Sequence, residues 1–179
     1  MNTMQSIKSR KSVRSYTGEQ VSPEDLEQVL AAANAAPVAG GTYGDVHLTV
    51  IQDPAMLAKI DEAGATMFGN PDMRPLYGAP TFVLVSAKVP EDNLAGANMA
   101  FSNAATLVEN MALECVELGL GTCHIWGAVI AINQNPDLVA ELGLPEGFTP
   151  CCGIIFGPSD EVYEERDIPA DRISQNVIA

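Results

Sequence analysis

Basic residues are scarce in this chain: 9 Lys and Arg stand against 23 Asp and Glu, a formal net charge of -14 over 179 residues. So acidic a surface repels the phosphate backbone of DNA and RNA and the anionic face of a membrane, so neither is an expected partner. No apolar run reaches the ~20 residues of a spanning helix, and Met1-Asn2-Thr3-Met4 opens no secretory apolar segment, so the expected location is the cytoplasm. The four cysteines, Cys115, Cys123, Cys151 and Cys152, have no C-x-x-C spacing and apolar neighbours, which describes buried thiols rather than a disulfide scaffold. Cys123-His124 has no further Cys or His at ligand spacing, and no metal site is expected. A glycine-rich P-loop, G-x-G-x-x-G, H-E-x-x-H and G-x-S-x-G are all missing.

What is present is a compact globular composition, 47% hydrophobic and 18% charged, of a length that suits one domain spanning residues 1–179. The scarce cations are also concentrated, because Lys8, Arg10, Lys11 and Arg14 fall within seven consecutive residues, interleaved with Ser9 and Ser12. Guanidinium groups beside hydroxyls form a set of donors with few acceptors, which suits a bound phosphate. A solvated basic face is the bland alternative. In a chain this acidic, scattered cations would find carboxylates anywhere, so the clustering points to a small anionic ligand.

Periodicity supplies the surrounding elements. Met4 and Ile7 suggest a short amphipathic helix ahead of the cluster. Ser22 as N-cap and Pro23 at the first helical position start a second helix, which buries Leu26, Val29, Leu30 and Ala33 and stops before Pro37. Residues 47–51 read as a strand and Pro54 to about Ala63 as a helix. An irregular stretch from Thr66 to Tyr77 follows, then a fully apolar strand over Thr81–Ser86 that calls for cover on both faces. The longest pattern, about Asn98 to Leu118, carries a wide stripe of Phe101, Ala104, Ala105, Val108, Met111, Ala112 and Cys115, ended by Gly119. A strand from Leu118 to Cys123, a short helix capped by Asn135-Pro136, and a strand over Pro150–Phe156 complete the reading.

Arg10-Lys11-Ser12-Val13-Arg14-Ser15-Tyr16 resembles the Arg-[Arg/Lys]-Ser-x-Arg-x-[Phe/Tyr] opening of the nitroreductase-like FMN flavoproteins, and further resemblances follow in the family's order. Asn110-Met111-Ala112-Leu113 and Leu118-Gly119-Leu120-Gly121-Thr122 are similar to its core helix and the turn that ends it. The resemblance implies an α+β fold with a mainly antiparallel central sheet flanked by helices, and a homodimer with FMN in its interface. It also implies that Arg10, Ser12 and Arg14, with Lys11 beside them, hold the phosphate, ribityl chain and pyrimidine edge of FMN. Pro37, Val38, Ala39 and Gly41 fall in the loop that contacts the flavin, where the match departs: Val38 replaces the usual Ser, Gly41 stands for Asn, and the Gln-Pro-Trp portion is absent. Asn70 is a further flavin contact, Trp126 and Gly127 lie near its reactive edge, and Arg172, or failing it Arg166, joins the phosphate site. On their own residues the loop is also compatible with an ordinary turn, Trp126 with core or interface packing, and both arginines with exposed ion pairs.

The activity implied is ping-pong hydride transfer, from NADH or NADPH to FMN and on to a small-molecule nitro, quinone or related acceptor. Lacking a dinucleotide fingerprint, the chain would bind its nicotinamide directly over the flavin. No side chain is assigned as catalytic acid or base, because FMN carries the hard step. The altered loop leaves two rivals open: other flavin chemistry such as reductive dehalogenation or ring oxidation, and a flavin-sequestering protein with little turnover.

Overall fold

A computed structural model describes residues 1–178. The centre is strand β2 (Thr81–Lys88), in which every residue but Lys88 is buried. It pairs antiparallel with β1 (Val46–Ile51) on one side and β4 (Phe148–Gly157) on the other, and β3 (Gly121–Ile125) adds antiparallel to β4, giving the order β1-β2-β4-β3. Period-2 alternation divides β2 between two cores. Val83 and Val85 face the side covered by α2 (Pro23–Asn34) and α4 (Leu94–Glu117). Phe82 and Leu84 face the side covered by α3 (Pro54–Phe68), α5 (Gly127–Asn133) and α6 (Pro136–Glu141). The expected α+β architecture, a mainly antiparallel sheet with helices on both faces, is what the chain adopts.

The helix starts follow local chemistry. Ser22 Oγ accepts from Asp25 N at 3.1 Å, Asp53 caps α3 through Met56 N at 3.0 Å, and Asn93 caps α4 through Gly96 N at 3.0 Å. Leu120 N donates back to Cys115 O at 2.8 Å over Gly119 at φ 73°, so α4 ends in the left-handed turn that glycine favours. Asn110 Nδ2 bonds Ala32 O at 3.1 Å, locking α2 to α4 where small residues let the backbones approach.

Four elements differ from the periodic reading. In α1 (Thr3–Ser9) Met4 and Ile7 are exposed and Ser6 and Ser9 are buried, because the inward face is polar and Ser6 Oγ reaches Glu117 Oε2 at 3.4 Å. Helix α3 runs on to Phe68 and stops only at Gly69, φ 62°, where Pro75 packs into the notch left by Gly64. On α4, Phe101 and Ala105 turn outward, and Ala100, Leu107 and Val116 complete the buried face. Helix α5 has no start signal in the sequence, because Trp126 occupies its N-cap position and makes no side-chain cap.

Candidate functional site

The cation cluster lies where α1 gives way to an extended segment. Arg10 caps α1, donating its N–H to Ser6 O at 2.9 Å, and the chain then runs beside β3, where Val13 N donates to Thr122 O at 2.8 Å. Val13 is fully buried, and Gly121 makes that approach possible: a Cβ there would stand 2.8 Å from Val13 Cγ1. Tyr16 Oη donates to Val13 O at 3.0 Å, Ser159 Oγ to Ser15 O at 2.8 Å, and Thr17 N to Pro158 O at 3.0 Å. One buried side chain and these bonds fix the backbone, leaving Ser12 and Arg14 exposed on either side of Val13.

The cations do not lack acceptors as the sequence suggested. Lys11 Nζ pairs with Glu161 Oε2 at 2.7 Å, Arg10 Nε with Glu109 Oε1 at 3.6 Å, and Lys8 Nζ with Glu165 Oε2 at 3.9 Å. Glu109 Oε2 also meets His124 Nε2 at 3.0 Å. That hydrogen bond, then the Arg10 charge, holds the Glu109 carboxyl below its usual range against the opposing effect of burial. The hydrogen bond from Lys11 likewise holds Glu161 low. These carboxylates are 38–48% exposed at the side chain, so water screens the pairs and each is weak. Arg14 has no carboxylate partner among the described residues; its guanidinium carbon lies 5.6 Å from the centre of the Tyr77 ring.

Beyond β3 the chain reaches Trp126, 59% exposed, and Gly127, which opens α5. Phe68 packs so closely on Gly127 that a Cβ there would meet its ring at 3.2 Å, with Pro75 at 3.9 Å. Asn70 folds into its own loop, its Oδ1 accepting from Asp72 N at 3.1 Å, and lines an open cleft of about 680 Å³ with Asp61, Thr66 and Arg74. The cluster, Trp126 with Gly127, and the 68–77 stretch therefore form one continuous edge, linked through β3 and the Arg14–Tyr77 contact.

The Pro37–Gly41 loop sits elsewhere. Ala39 N donates to Asn103 Oδ1 at 3.0 Å and Thr106 Oγ1 to Pro37 O at 3.2 Å, while Val38 is buried. Gly40 and Gly41 both take positive φ, 67° and 68°, a conformation that excludes most other residues. Asn103 and Glu109, the α4 contacts of the loop and of Arg10, are about 9 Å and about 1.7 turns apart along the helix. Those two positions lie on different faces of α4, and among the described residues no hydrogen bond or ion pair joins the loop to the cluster.

Arg172 is exposed, and its N–H bonds only Pro169 O at 3.2 Å. Arg166, the second choice on sequence, is the arginine that docks: its Nε donates to Lys8 O at 2.8 Å and its Nη2 to Ile7 O at 3.4 Å, satisfying carbonyls at the end of α1. Sequence reading missed Glu109, His124, Phe68 and Tyr77. Nothing in the spacing pairs Glu109 with Arg10 across the fold. Tyr77 did carry a signal, an aromatic followed by Gly78 in a Pro- and Gly-rich stretch.

An antiparallel sheet covered by helices on both faces, with Ser12 and Arg14 directed outward beside β3, defines an α+β layered protein. The family can be stated more closely. The chain belongs to the nitroreductase family, whose model matches residues 7–158. A protein of Archaeoglobus fulgidus, whose name assigns it provisionally as an NADH dehydrogenase/NAD(P)H nitroreductase, is 32% identical over 165 residues, covering 90% of this chain and 89% of its own. An FMN reductase [NAD(P)H] of Bacillus subtilis is 28% identical over 188 residues, covering 96% of this chain and 72% of its own. The structure of a nitroreductase with bound FMN from Bacteroides fragilis superposes with a TM-score of 0.81 at 26% identity, over 99% of this chain and all of that one.

Proposed function

We propose that the chain is an FMN-dependent NAD(P)H oxidoreductase, acting as one domain over residues 1–179 and reducing a nitro, quinone or related acceptor in two half-reactions. The observation that carries this reading is the outward display of Ser12 and Arg14 about the buried anchor Val13, in a chain whose relatives bear FMN and NAD(P)H in their names. The donor set fits the cofactor. Arg10 is held at Nε by Glu109 at 3.6 Å, and its terminal nitrogens have no protein partner among the described residues. With Lys11 and Ser12 they suit a dianionic phosphate, for which half-buried, singly charged glutamates are weaker competitors. We assign Arg10, Lys11, Ser12 and Arg172 to the phosphate end, Arg14 to the pyrimidine and ribityl oxygens, and Trp126 and Gly127 to the reactive edge. Asn70 and the Pro37, Val38, Ala39 and Gly41 loop complete the set.

FMN, when bound, supplies the hydride-accepting and hydride-donating chemistry, and the chain orients it and sets the charge around it. The side chains near the edge, Phe68, Tyr77 and Trp126, are exposed apolar or aromatic surfaces suited to a planar acceptor or a nicotinamide. No acid or base is needed among them, as protons can come from water.

A homodimer belongs to the same reading. Since the loop and the cluster lie on different faces of α4, a second copy is the simplest way to bring one chain's loop to the other's cluster. Exposed Met4, Ile7, Met99 and Phe101 provide apolar surface for it. No helix among the described residues is long and apolar enough to cross a membrane, and all four cysteines are buried free thiols, in keeping with a cytoplasmic setting. The loop's departures, Val38 for Ser, Gly41 for Asn and no Gln-Pro-Trp portion, remove polar side chains from that end and leave open, as a second reading, flavin chemistry other than acceptor reduction or simple flavin storage.

Purified protein should be yellow and release about one FMN per chain on denaturation, and NADH or NADPH should bleach it in stopped flow. Colourless protein that takes up no added FMN overturns the flavin reading. Yellow protein that neither donor bleaches selects flavin storage.

A further inference from the structure

Tyr77 is the one non-glycine residue with positive φ among those described, at 53°. A side chain in the left-handed region is strained, and such strain persists only where the surroundings impose it. They do so here. Pro75 packs into the Gly64 notch, Leu76 is buried with its N–H donated to Asp61 Oδ1 at 2.9 Å, and Ala79 N bonds Leu76 O at 3.0 Å. Tyr77 N itself closes a turn onto Arg74 O at 2.9 Å. Glycine is what such a backbone favours, and Gly78 follows at φ 75°. The chain instead carries a tyrosine whose ring, 40% exposed, is not core packing and whose hydroxyl makes no hydrogen bond among the described residues. What the ring does touch is Arg14, at 5.6 Å from guanidinium carbon to centroid, within the range of a cation–π contact.

We propose that Tyr77 is a positioning residue for the cofactor, and that its strained backbone turns the ring under the Arg14 guanidinium to aim that group at the flavin. An exposed arginine otherwise samples many rotamers, and stacking on a fixed ring lowers the entropy lost on binding. The contact strengthens as the flavin expels water. Two side chains 63 positions apart in sequence thus act as one unit, Arg14 on the β3 side and Tyr77 on the α3 side.

The inference rests on the flavin reading, and the test separates the two. FMN dissociation constants are measured by fluorescence quenching for the wild type, Tyr77→Phe, Tyr77→Gly, Arg14→Ala and the Arg14→Ala/Tyr77→Gly double variant. Phenylalanine keeps the ring and should bind within about twofold of wild type, whereas glycine should weaken binding about tenfold without lowering the melting temperature of the apoprotein. In the Arg14→Ala background the glycine change should add nothing, because the ring acts only through that guanidinium. Tyr77→Asn, which the left-handed region also tolerates, repeats the measurement should the glycine variant not fold. Wild-type affinity in both ring-less variants, or an equal loss with and without Arg14, overturns the proposal. A wild type that binds no FMN overturns the flavin reading itself.

Discussion

Arg14→Ala separates a binding side chain from a solvated one with little structural cost. Arg14 is exposed, and its only close partner among the described side chains is the Tyr77 ring at 5.6 Å, so truncation opens no cavity and strands no buried carboxylate. The neighbouring Val13, fully buried and bonded to Thr122 O, keeps the segment in place whichever side chain follows it. A surface change of this kind moves stability by no more than about 0.5 kcal/mol. Hydrogen bonds from a charged donor contribute about 1.5 to 3 kcal/mol, so removing the guanidinium should raise the FMN dissociation constant roughly 10- to 150-fold. Titration of apoprotein with FMN, followed by flavin fluorescence, reads the effect, and the apoprotein melting curve is the control. Unchanged affinity with an unchanged flavin spectrum would refute the reasoning and return the cluster to a solvated face.

Gly153→Ala should lower the melting temperature markedly, because the new Cβ would stand 2.4 Å from Phe82 Cε2 and 3.1 Å from Val83 O in a packed sheet; overpacking of this kind costs about 1 to 3 kcal/mol, read by thermal denaturation. Acid should loosen the cluster: the folded-state Glu109 carboxyl sits below its usual value through His124 and Arg10, so its stabilisation is present above the ordinary glutamate range and is lost as pH falls through the depressed folded value. A melting series from neutral to acid pH should show a smaller acid-side decline in His124→Gln than in wild type, and parallel curves would refute this. Dilution should release FMN together with monomers, and sedimentation at a flavin wavelength would exclude the shared site if monomers carried their flavin.

The fold was legible wherever local pattern and burial agree. Strand β2 announced itself because all seven residues of Thr81–Ala87 are buried, so the apolar run in sequence is also the centre of the sheet. Two capped helices were equally plain, since Ser22 and Asn135 each accept a hydrogen bond from a backbone N–H three positions on, whereas the Asn93 cap of α4 went unread and that helix starts at Leu94, ahead of the expected Asn98. Legibility failed where packing decides against pattern. Met4 and Ile7 satisfy a helical period, yet the face of α1 that meets α4 is built from serines, and no property of residues 3–9 reveals what lies opposite. The extra turn of α3 depends on Pro75 filling the space beside Gly64, a contact between residues eleven apart.

The site divides along the same line. Arg10, Lys11, Ser12 and Arg14 were visible because charge so concentrated in an acidic chain is unusual in itself. Their partners were not, because ion pairing is settled by the fold: Glu109, Glu161 and Glu165 are three of 23 acidic residues with nothing local to mark them. These pairs alter the argument about the ligand. A bare group of four cations would attract any anion, whereas one whose Lys8, Arg10 and Lys11 already hold carboxylates favours a ligand that brings more charge than a single carboxylate and more donor-matched oxygens than a chloride. A phosphate monoester meets both conditions. On the proposed flavin reading, Arg14, stacked on Tyr77 rather than paired with a carboxylate, would read the neutral, planar part of the same molecule, and the resident glutamates would separate the cluster into an end for charge and an end for shape.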